Sequence, residues 1–136
     1  MDIADYPFAH AIRVRFAETD AMGIVHHAAY LPYLEVGRVE YLRSIDRPYA
    51  SLRNDGLDLA VIEVHVRYLK ALHFDDLVTV HVVMSSVTRA TLQMSYALTV
   101  GEVVVATAVT AHACVDARGR PMRMPSWLLA LAAEPR

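Results

Sequence analysis

One stretch of the chain repeats its apolar residues at helical spacing, and it stands apart from the alternating patterns that follow it. Leu31, Leu34 and Leu42 fall on one face of a helix with 3.6 residues per turn. Pro32 fits a first helical turn, where a missing N–H is tolerated. Pro48 limits the other end, because a residue that precedes proline is disfavoured in a helix. The pattern predicts one long helix that ends between residues 44 and 47.

Strand patterns lie on both sides of this helix. They share alternating apolar and polar positions or a high content of β-branched residues, and they cover residues 11–16, 59–69, 77–84, 92–100 and 103–115. Residues 49–57 and 85–89 are expected to be connections, and Gly101-Glu102 has the Gly-X form of a two-residue hairpin. Short links favour an antiparallel sheet, and an apolar helix face must pack on such a sheet. The pattern predicts an α+β fold in which a curved antiparallel sheet wraps around the helix, followed by a helical tail that begins near Ser126.

Length, charge and cysteine content narrow the class of protein. The 136 residues are enough for one domain with its own core, so residues 1–136 are interpreted as a single domain. A net charge of −2 argues against nucleic-acid binding, which needs a cationic surface. The single cysteine, Cys114, forms no internal disulfide and fits a reducing cytoplasm. We expect no signal peptide and no membrane span, because no apolar run is long enough.

The last predicted strand carries information about assembly. Residues 103–106 and 108–109 are apolar at consecutive positions, and a strand of this kind usually has both faces covered. One long helix covers only one face of a sheet. The other face must meet a second subunit or remain exposed, which is disfavoured. We therefore expect a homodimer or a homotetramer.

The candidate chemistry lies just before the long helix. Asp20 and the neighbouring His26 and His27 fall in a polar loop, and the unpaired N–H groups of the helix N-terminus face this loop. A carboxylate beside such donors suits attack on a carbonyl and stabilisation of the resulting oxyanion. A capping role for Asp20 is the structural alternative. Adjacent histidines lack the i, i+4 spacing of a metal pair, so we expect no metal.

The same stretch carries a family resemblance. It consists of Thr19-Asp20, Gly23-Ile24-Val25, His27, Tyr30, Glu35, Arg38 and Leu42-Arg43. This set resembles the N-terminal signature of hotdog-fold acyl-CoA thioesterases, in particular the 4-hydroxybenzoyl-CoA and Tol–Pal-cluster types. The resemblance implies the hotdog fold for nearly the whole chain, although only residues 16–43 match specifically.

The resemblance also implies roles for individual residues. Asp20 becomes the catalytic carboxylate, either as nucleophile or as general base on water, and the backbone N–H of His27 polarises the thioester carbonyl. Glu35 is a minor alternative to Asp20, because other branches of the fold use a helix carboxylate. With Arg38 it is expected to form an i, i+3 pair on the helix surface or at a subunit contact. The implied substrate-binding residues are Gly23, Val25, His26, Tyr30 and Tyr68. Val25, His26 and Tyr30 would come from one subunit and the Tyr68 region from the other.

Coenzyme A would enter as part of the substrate, and no separate cofactor is expected. The basic residues available for its phosphates are Lys70, Arg89 and Arg123, although the turn around Arg89 lacks the basic cluster that some family members have. The resulting hypothesis is hydrolysis of acyl-CoA to free acid and coenzyme A. Hydrolysis of thioesters on acyl carrier protein and non-catalytic binding of acyl-CoA stay open as alternatives. The sequence leaves the acyl group undetermined, aliphatic or aromatic.

Overall fold

A computed structural model describes residues 2–132, apart from the side chain of Ala132. It contains five strands, a long helix and two short helices. The strands are β1 (Phe8–Arg13), β2 (Asp58–Tyr68), β3 (Leu77–Val87), β4 (Thr91–Val100) and β5 (Val103–Val115). The helices are α1 (Tyr30–Ser44), α2 (Tyr49–Asn54) and α3 (Ser126–Ala132). Within residues 2–132, no helix has both the length and the apolar content to cross a membrane.

The strands form one antiparallel sheet in the order β1-β3-β4-β5-β2. Helix α1 lies across its inner face and contacts β3 and β1. This arrangement confirms the predicted α+β hotdog fold, with a long helix against an antiparallel sheet. The Gly101 turn between β4 and β5 is confirmed as a hairpin, since Gly101 has φ +59°.

The core forms where the apolar stripe of α1 meets alternate residues of the sheet. Leu34 and Leu42 of the helix are each 1% exposed, and burial of a leucine side chain contributes about 1.5–3 kcal/mol. Gly37 lets the two layers approach closely, because a Cβ added there would lie 2.7 Å from Cγ1 of Val80 and 3.2 Å from Cγ2 of Val82. Close packing, rather than a mere loss of helix stability, is therefore the consequence of this glycine.

Three predicted boundaries were wrong. Strand β1 occupies Phe8–Arg13 instead of residues 11–16, because Val14 already bonds Asp76 and a 3₁₀ turn, Phe16–Glu18, follows. The expected connection at residues 49–57 contains α2, where Leu52 is buried. Strand β3 continues to Val87 through a bulge. The predicted tail helix is confirmed as α3, and residues 133–136 lie outside the described part of the chain.

Strand β2 is an edge strand whose inner face α1 leaves uncovered. Val61 is 47% exposed and Val64 is 43% exposed. Leu31 on the adjacent flank of α1 is 43% exposed. An uncovered apolar edge strand is a ready surface for pairing with another chain.

Candidate active site

The loop that carries Asp20 is held by backbone hydrogen bonds on both sides. Thr19 and Val25 form an antiparallel bridge, and the Asp20 N–H donates to the Ile24 carbonyl at 2.9 Å. Gly23 closes the turn with φ +79°, a conformation that glycine adopts at no steric cost. The Val25 N–H donates to the Leu72 carbonyl at 2.8 Å, which ties the loop to the segment between β2 and β3. The loop is therefore fixed to the fold at the base of α1.

The Asp20 carboxylate is partly open. Its Oδ1 accepts a hydrogen bond from the Met22 N–H at 2.8 Å. This is the Asx-type contact that the capping alternative predicts. No basic side chain lies within 4 Å of the carboxylate among residues 2–132. The Oδ2 atom is left available for chemistry.

The start of α1 presents an unused backbone donor. A 3₁₀ turn, His27–Ala29, precedes the helix. The His26 side chain caps this turn by accepting a hydrogen bond from the Ala28 N–H at 3.1 Å. No acceptor is found for the His27 N–H within the described residues. Because the positive end of the helix dipole also lies here, this N–H is suited to stabilise a negative oxygen.

Asp20 and His27 both line a surface cavity of about 290 Å³. The cavity includes most of the site residues expected from the sequence, and its walls are formed by Met22, Ile24, Val25, Tyr30, Tyr68, Leu69, Lys70 and Ala71. The rings of Tyr30 and Tyr68 meet edge to face at 4.8 Å. The Tyr68 hydroxyl donates to the His27 carbonyl at 3.0 Å, so the end of β2 is fixed against the helix N-terminus.

Two expected substrate-binding residues lie outside this cavity wall. Gly23 shapes the turn of the loop. The His26 ring packs on the His27 ring at a centroid distance of 4.2 Å and caps the turn. Within the described residues, no cluster of His, Cys, Asp and Glu could hold a metal ion.

The expected coenzyme A contacts are split between the two ends of the sheet. Lys70 lines the cavity. Arg89 lies in the turn after β3, and its carbonyl accepts a hydrogen bond from the Met124 N–H at 2.6 Å, which places Arg123 at the same end. Strand β3 begins near the cavity and spans 11 residues, roughly 35 Å at 3.2–3.4 Å per residue. One subunit therefore does not bring Arg89 or Arg123 to Asp20.

Sequence reasoning missed a side-chain cluster beneath the loop. The Tyr33 hydroxyl on α1 donates to Oε1 of Glu18 at 2.7 Å, and Arg15 donates to Oε2 of the same carboxylate at 2.9 Å. The Glu18 carbonyl accepts from the His26 N–H. Burial raises the pKa of Glu18, but its hydrogen bonds to Arg15 and Tyr33 outweigh burial and hold the pKa below the usual value. The available signal was Glu18 three residues after Arg15, because a glutamate at this spacing accepts from the backbone N–H of the residue before the turn.

The expected surface pair of Glu35 and Arg38 was wrong. No ion pair joins them among residues 2–132. The Arg38 side chain instead turns toward the sheet, where it borders a small cavity together with Met94 of β4 and His112 of β5. The rotation of α1 against the sheet decides this orientation, and local spacing does not report it.

Comparisons with known proteins identify the family of the chain. Residues 14–131 match the model of the thioesterase-like superfamily. The chain is 32% identical over 123 residues to the acyl-CoA thioesterase YbgC of Haemophilus influenzae, which covers 89% of this chain and 90% of that protein.

Solved structures show the same fold. The crystal structure of a hypothetical protein from Aquifex aeolicus matches with a TM-score of 0.88 and 37% identity, over 93% of this chain and 99% of that one. The DHNA-CoA thioesterase from Staphylococcus aureus matches with a TM-score of 0.86 and 25% identity, over 92% and 88% of the two chains. Thioester hydrolysis is thus supported at the level of the family, and the chain belongs to the thioesterase-like superfamily.

Proposed function

We propose that this protein hydrolyses acyl-CoA thioesters, with Asp20 as the catalytic carboxylate and the His27 N–H as the oxyanion donor. The observation that carries the proposal is that a partly open carboxylate and an unused N–H at a helix N-terminus line one cavity. A thioester needs little more, because its carbonyl is electrophilic and its thiolate is a good leaving group. The named relatives support the acyl-CoA class of substrate.

Asp20 has two chemically balanced routes. As a general base it takes a proton from water while the water oxygen bonds to the carbonyl carbon. The C–S bond then breaks, and the thiolate leaves with a proton returned by Asp20. As a nucleophile, Asp20 bonds to the carbonyl carbon and expels the thiolate, and water then hydrolyses the mixed anhydride. In both routes the His27 N–H faces the negative oxygen. After a single turnover in ¹⁸O-water, ¹⁸O in the Asp20 side chain identifies the nucleophilic route with attack of water on the Asp20 carbonyl carbon. Mass spectrometry of the rapidly quenched enzyme detects acylated Asp20 where water attacks the acyl carbon instead.

The central test is Asp20→Asn, which keeps the shape and removes the charge. Release of free thiol from a panel of acyl-CoAs should show kcat reduced by a factor of about a hundred or more, with an unchanged unfolding transition. Glu35→Gln is the matched control. If Glu35→Gln is inactive and Asp20→Asn is not, the catalytic carboxylate has been misassigned.

Two alternative functions give different results in the same assay. A thioesterase for acyl carrier protein would have a much higher kcat/KM on the acyl-carrier-protein ester than on the CoA ester with the same acyl group. A binding protein would retain acyl-CoA without releasing thiol. Either result would replace the proposed function.

We further propose that two subunits share the site by pairing their β2 edges. The support is the exposed apolar face of β2 and the distance of Arg89 from the Asp20 cavity of its own chain. A two-fold axis beside β2 would make the two β2 strands antiparallel. It would bring the Arg89 end of one sheet to the same side as the Asp20 end of the other.

The assembly has a direct test. Light scattering at micromolar concentration should give a dimer or tetramer, and Val64→Asp should shift it toward monomer because an apolar edge pairs poorly once charged.

Arg89→Ala should raise KM for acyl-CoA and leave kcat nearly unchanged, as expected for loss of uniform binding. The effect should shrink in high salt. An unmoved KM would instead point to residues 118–123 for the nucleotide, and a monomer with full activity would contradict the shared site.

A further inference from the structure

The outward edge of β2 presents backbone groups to a further strand. The Leu69 N–H donates to the Val105 carbonyl of β5 at 2.9 Å. Successive residues of a strand point their backbone groups to opposite sides, so the odd-numbered residues of this stretch bond β5. The N–H and C=O groups of Val64 and Val66 therefore point away from the sheet, where another strand can pair with them.

The outer face of β2, which is turned away from α1, carries a short run of charge. Glu63, His65 and Arg67 alternate with the apolar residues of the inner face, and all three are exposed. None of the salt bridges within residues 2–132 involves Glu63 or Arg67. The two opposite charges lie on either side of a central histidine, so the run is complementary to an antiparallel copy of itself.

A two-fold pair of β2 strands has several registers that keep the outward hydrogen bonds, and the charges distinguish them. When the axis passes His65, each Glu63 faces Arg67 of the partner subunit. An axis at Val64 places Glu63 opposite His65, and an axis at Val66 places Arg67 opposite His65. An axis at Arg67 places two arginines opposite each other, which is unfavourable. Only the axis at His65 places opposite charges of full strength together.

The inner face of β2 accepts each of these registers. Its residues are Val61, Val64, Val66 and Tyr68. Moving the axis by one residue slips the strands by two residues, which keeps every side chain on its own face. Such a slip replaces one apolar contact by another. The inner face therefore contributes attraction between the two edges, and the outer face has to select the register.

We propose that Glu63 and Arg67 set the register of the paired β2 edges, with the two-fold axis at His65. This inference rests on the proposed function, which includes the pairing of β2 edges around a shared site. Two ion pairs, one on each side of the axis, join Glu63 to Arg67 of the partner subunit. His65 faces its own copy at the axis.

This register also determines what the partner adds to the Asp20 cavity. Counting outward from the axis, the bulge at Ile62 of the partner subunit lies beside Tyr68, which lines the cavity. Ile62 is 53% exposed and Tyr68 is 49% exposed in the single chain, so both lose exposed apolar surface in this contact. Ile62 of the partner subunit thereby becomes part of the cavity wall.

Disulfide trapping measures the register directly. The backbone groups of His65 point to β5, so two copies at the axis form a pair with a Cα distance of about 4.5 Å, which suits a disulfide. His65→Cys should therefore crosslink two subunits under mild oxidation. Val64→Cys, Val66→Cys and Arg67→Cys should crosslink about tenfold less, because their copies are displaced by roughly 7 Å or more along the strand.

Non-reducing electrophoresis is the measurement, and the wild type is the control. The native Cys114 is free and 1% exposed, so the introduced cysteine is the exposed thiol in each variant. Strongest crosslinking at residue 64, 66 or 67 would overturn the proposed register. A monomeric wild type, or no crosslinking at any of the four positions, would overturn the pairing of β2 edges as well.

Charge reversal tests the cause of the register. Glu63→Arg and Arg67→Glu should each raise the dissociation constant of the dimer by about tenfold, measured by sedimentation of a dilution series in low salt. The double variant should return toward the wild-type value, since the same ion pairs form with the charges exchanged. Arg13→Glu is the matched control, because Arg13 is exposed on β1 at the opposite edge of the sheet. A double variant as weak as the single variants would show that these charges do not set the register.

The crosslinked His65→Cys dimer connects the register with hydrolysis. Its kcat on acyl-CoA should stay within about twofold of the reduced form, followed by thioester absorbance because a reductant masks the released thiol. Adding Ile62→Ala to the crosslinked dimer should raise KM by about threefold or more. Activity that is lost on crosslinking and restored by reduction would overturn the register, and an unchanged KM would remove Ile62 from the cavity wall. A wild type that crosslinks as expected but hydrolyses no acyl-CoA would contradict the proposed function and leave the register in place.

Discussion

The first turn of the helical segment, which is the 3₁₀ turn His27–Ala29 before α1, and the middle of α1 both meet polar groups, but they do so in opposite ways. At the first turn, the His27 N–H is open and the adjacent loop is held mainly by backbone hydrogen bonds. In the middle of the helix, the Arg38 side chain borders a small cavity with Met94 of β4 and His112 of β5. The first arrangement offers a backbone donor that most side-chain substitutions leave intact. The second depends on each side chain and on the close contact between helix and sheet.

This contrast separates a functional role from a structural one. A backbone donor acts on the carbonyl that all thioesters share, so the first turn would serve catalysis for any acyl group. The middle of α1 packs on the sheet beside His112, so this part of the helix would serve the stability of the fold. Four measurements test the contrast, beginning with the largest expected effect.

The first concerns the backbone donor itself. His27→Pro removes the N–H at the first position of a turn, where proline is tolerated. His26 before it has ψ 139°, which suits a residue that precedes proline. We expect kcat to fall by about 10²–10³, as for loss of one oxyanion donor, whereas His27→Ala should cost less than about threefold. Acyl-CoA hydrolysis by both variants is the measurement. Equal losses would assign the role to the imidazole instead.

The second concerns the buried histidine in the middle of the helix. Burial and the adjacent Arg38 charge lower the pKa of His112 from 6.5 to about 4 in the folded state, so its protonation favours unfolding. Its stabilising contribution is complete above pH 6.5 and is lost as the pH falls toward 4. A shift of this size corresponds to about 3 kcal/mol in full, of which about 2–3 kcal/mol is lost by pH 4.5. The charged or titratable groups near the His112 ring are the Arg38 guanidinium and the hydroxyls of Tyr49 and Tyr96.

Urea unfolding at pH 7.5 and pH 4.5 measures this loss at one protein concentration. His112→Gln should be less stable than the wild type at pH 7.5 and should lose about 2–3 kcal/mol less on acidification. His27→Gln, at an exposed position of the 3₁₀ turn before α1, should follow the wild-type profile. The burial of His81 lowers its pKa as well. Both the wild type and His112→Gln contain His81, so its contribution is the same in the two pH profiles. An unchanged pH dependence in His112→Gln would contradict the buried neutral histidine.

The third concerns the contact between helix and sheet that places Arg38. Gly37→Ala adds a Cβ 2.7 Å from Val80 Cγ1, and valine is too stiff at χ1 to move away cheaply. Overpacking should exceed the gain of about 1 kcal/mol in helix propensity, for a net loss of about 1–2 kcal/mol in the free energy of unfolding. Val36→Ala on the exposed side of α1 is the control for urea unfolding. A more stable Gly37→Ala protein would show that the layers can separate.

The fourth concerns the side chains that hold the loop at the first turn. Tyr33→Phe removes the hydrogen bond to Glu18 and should lower stability by about 1 kcal/mol. Because the loop that carries Asp20 loosens, kcat should fall several-fold while KM changes little. Tyr6→Phe, whose ring instead contacts His81, is the control. The double variant with Glu18→Gln should add little to either single change. Additive losses would show that Tyr33 and Glu18 act separately.

Local patterns determined the parts of this protein that depend on neighbouring residues. The apolar spacing after Leu31 predicted α1, Gly101 predicted a hairpin, and a run rich in β-branched residues predicted β5 with its observed bounds. The same local reading predicted Asp20 in a loop before a helix. Such features follow from backbone periodicity and turn conformation, which the sequence records directly.

Tertiary structure alone decided which polar side chains are brought together and which apolar face stays open. Arg38 turns inward because α1 packs on β3 through Gly37, and its neighbours come from strands more than 50 residues away. The β2 face is exposed because the strand order places β2 at the edge, beyond the reach of the single long helix. Strand order and helix rotation minimise the free energy of the whole chain, so no local stretch contains the information to predict them.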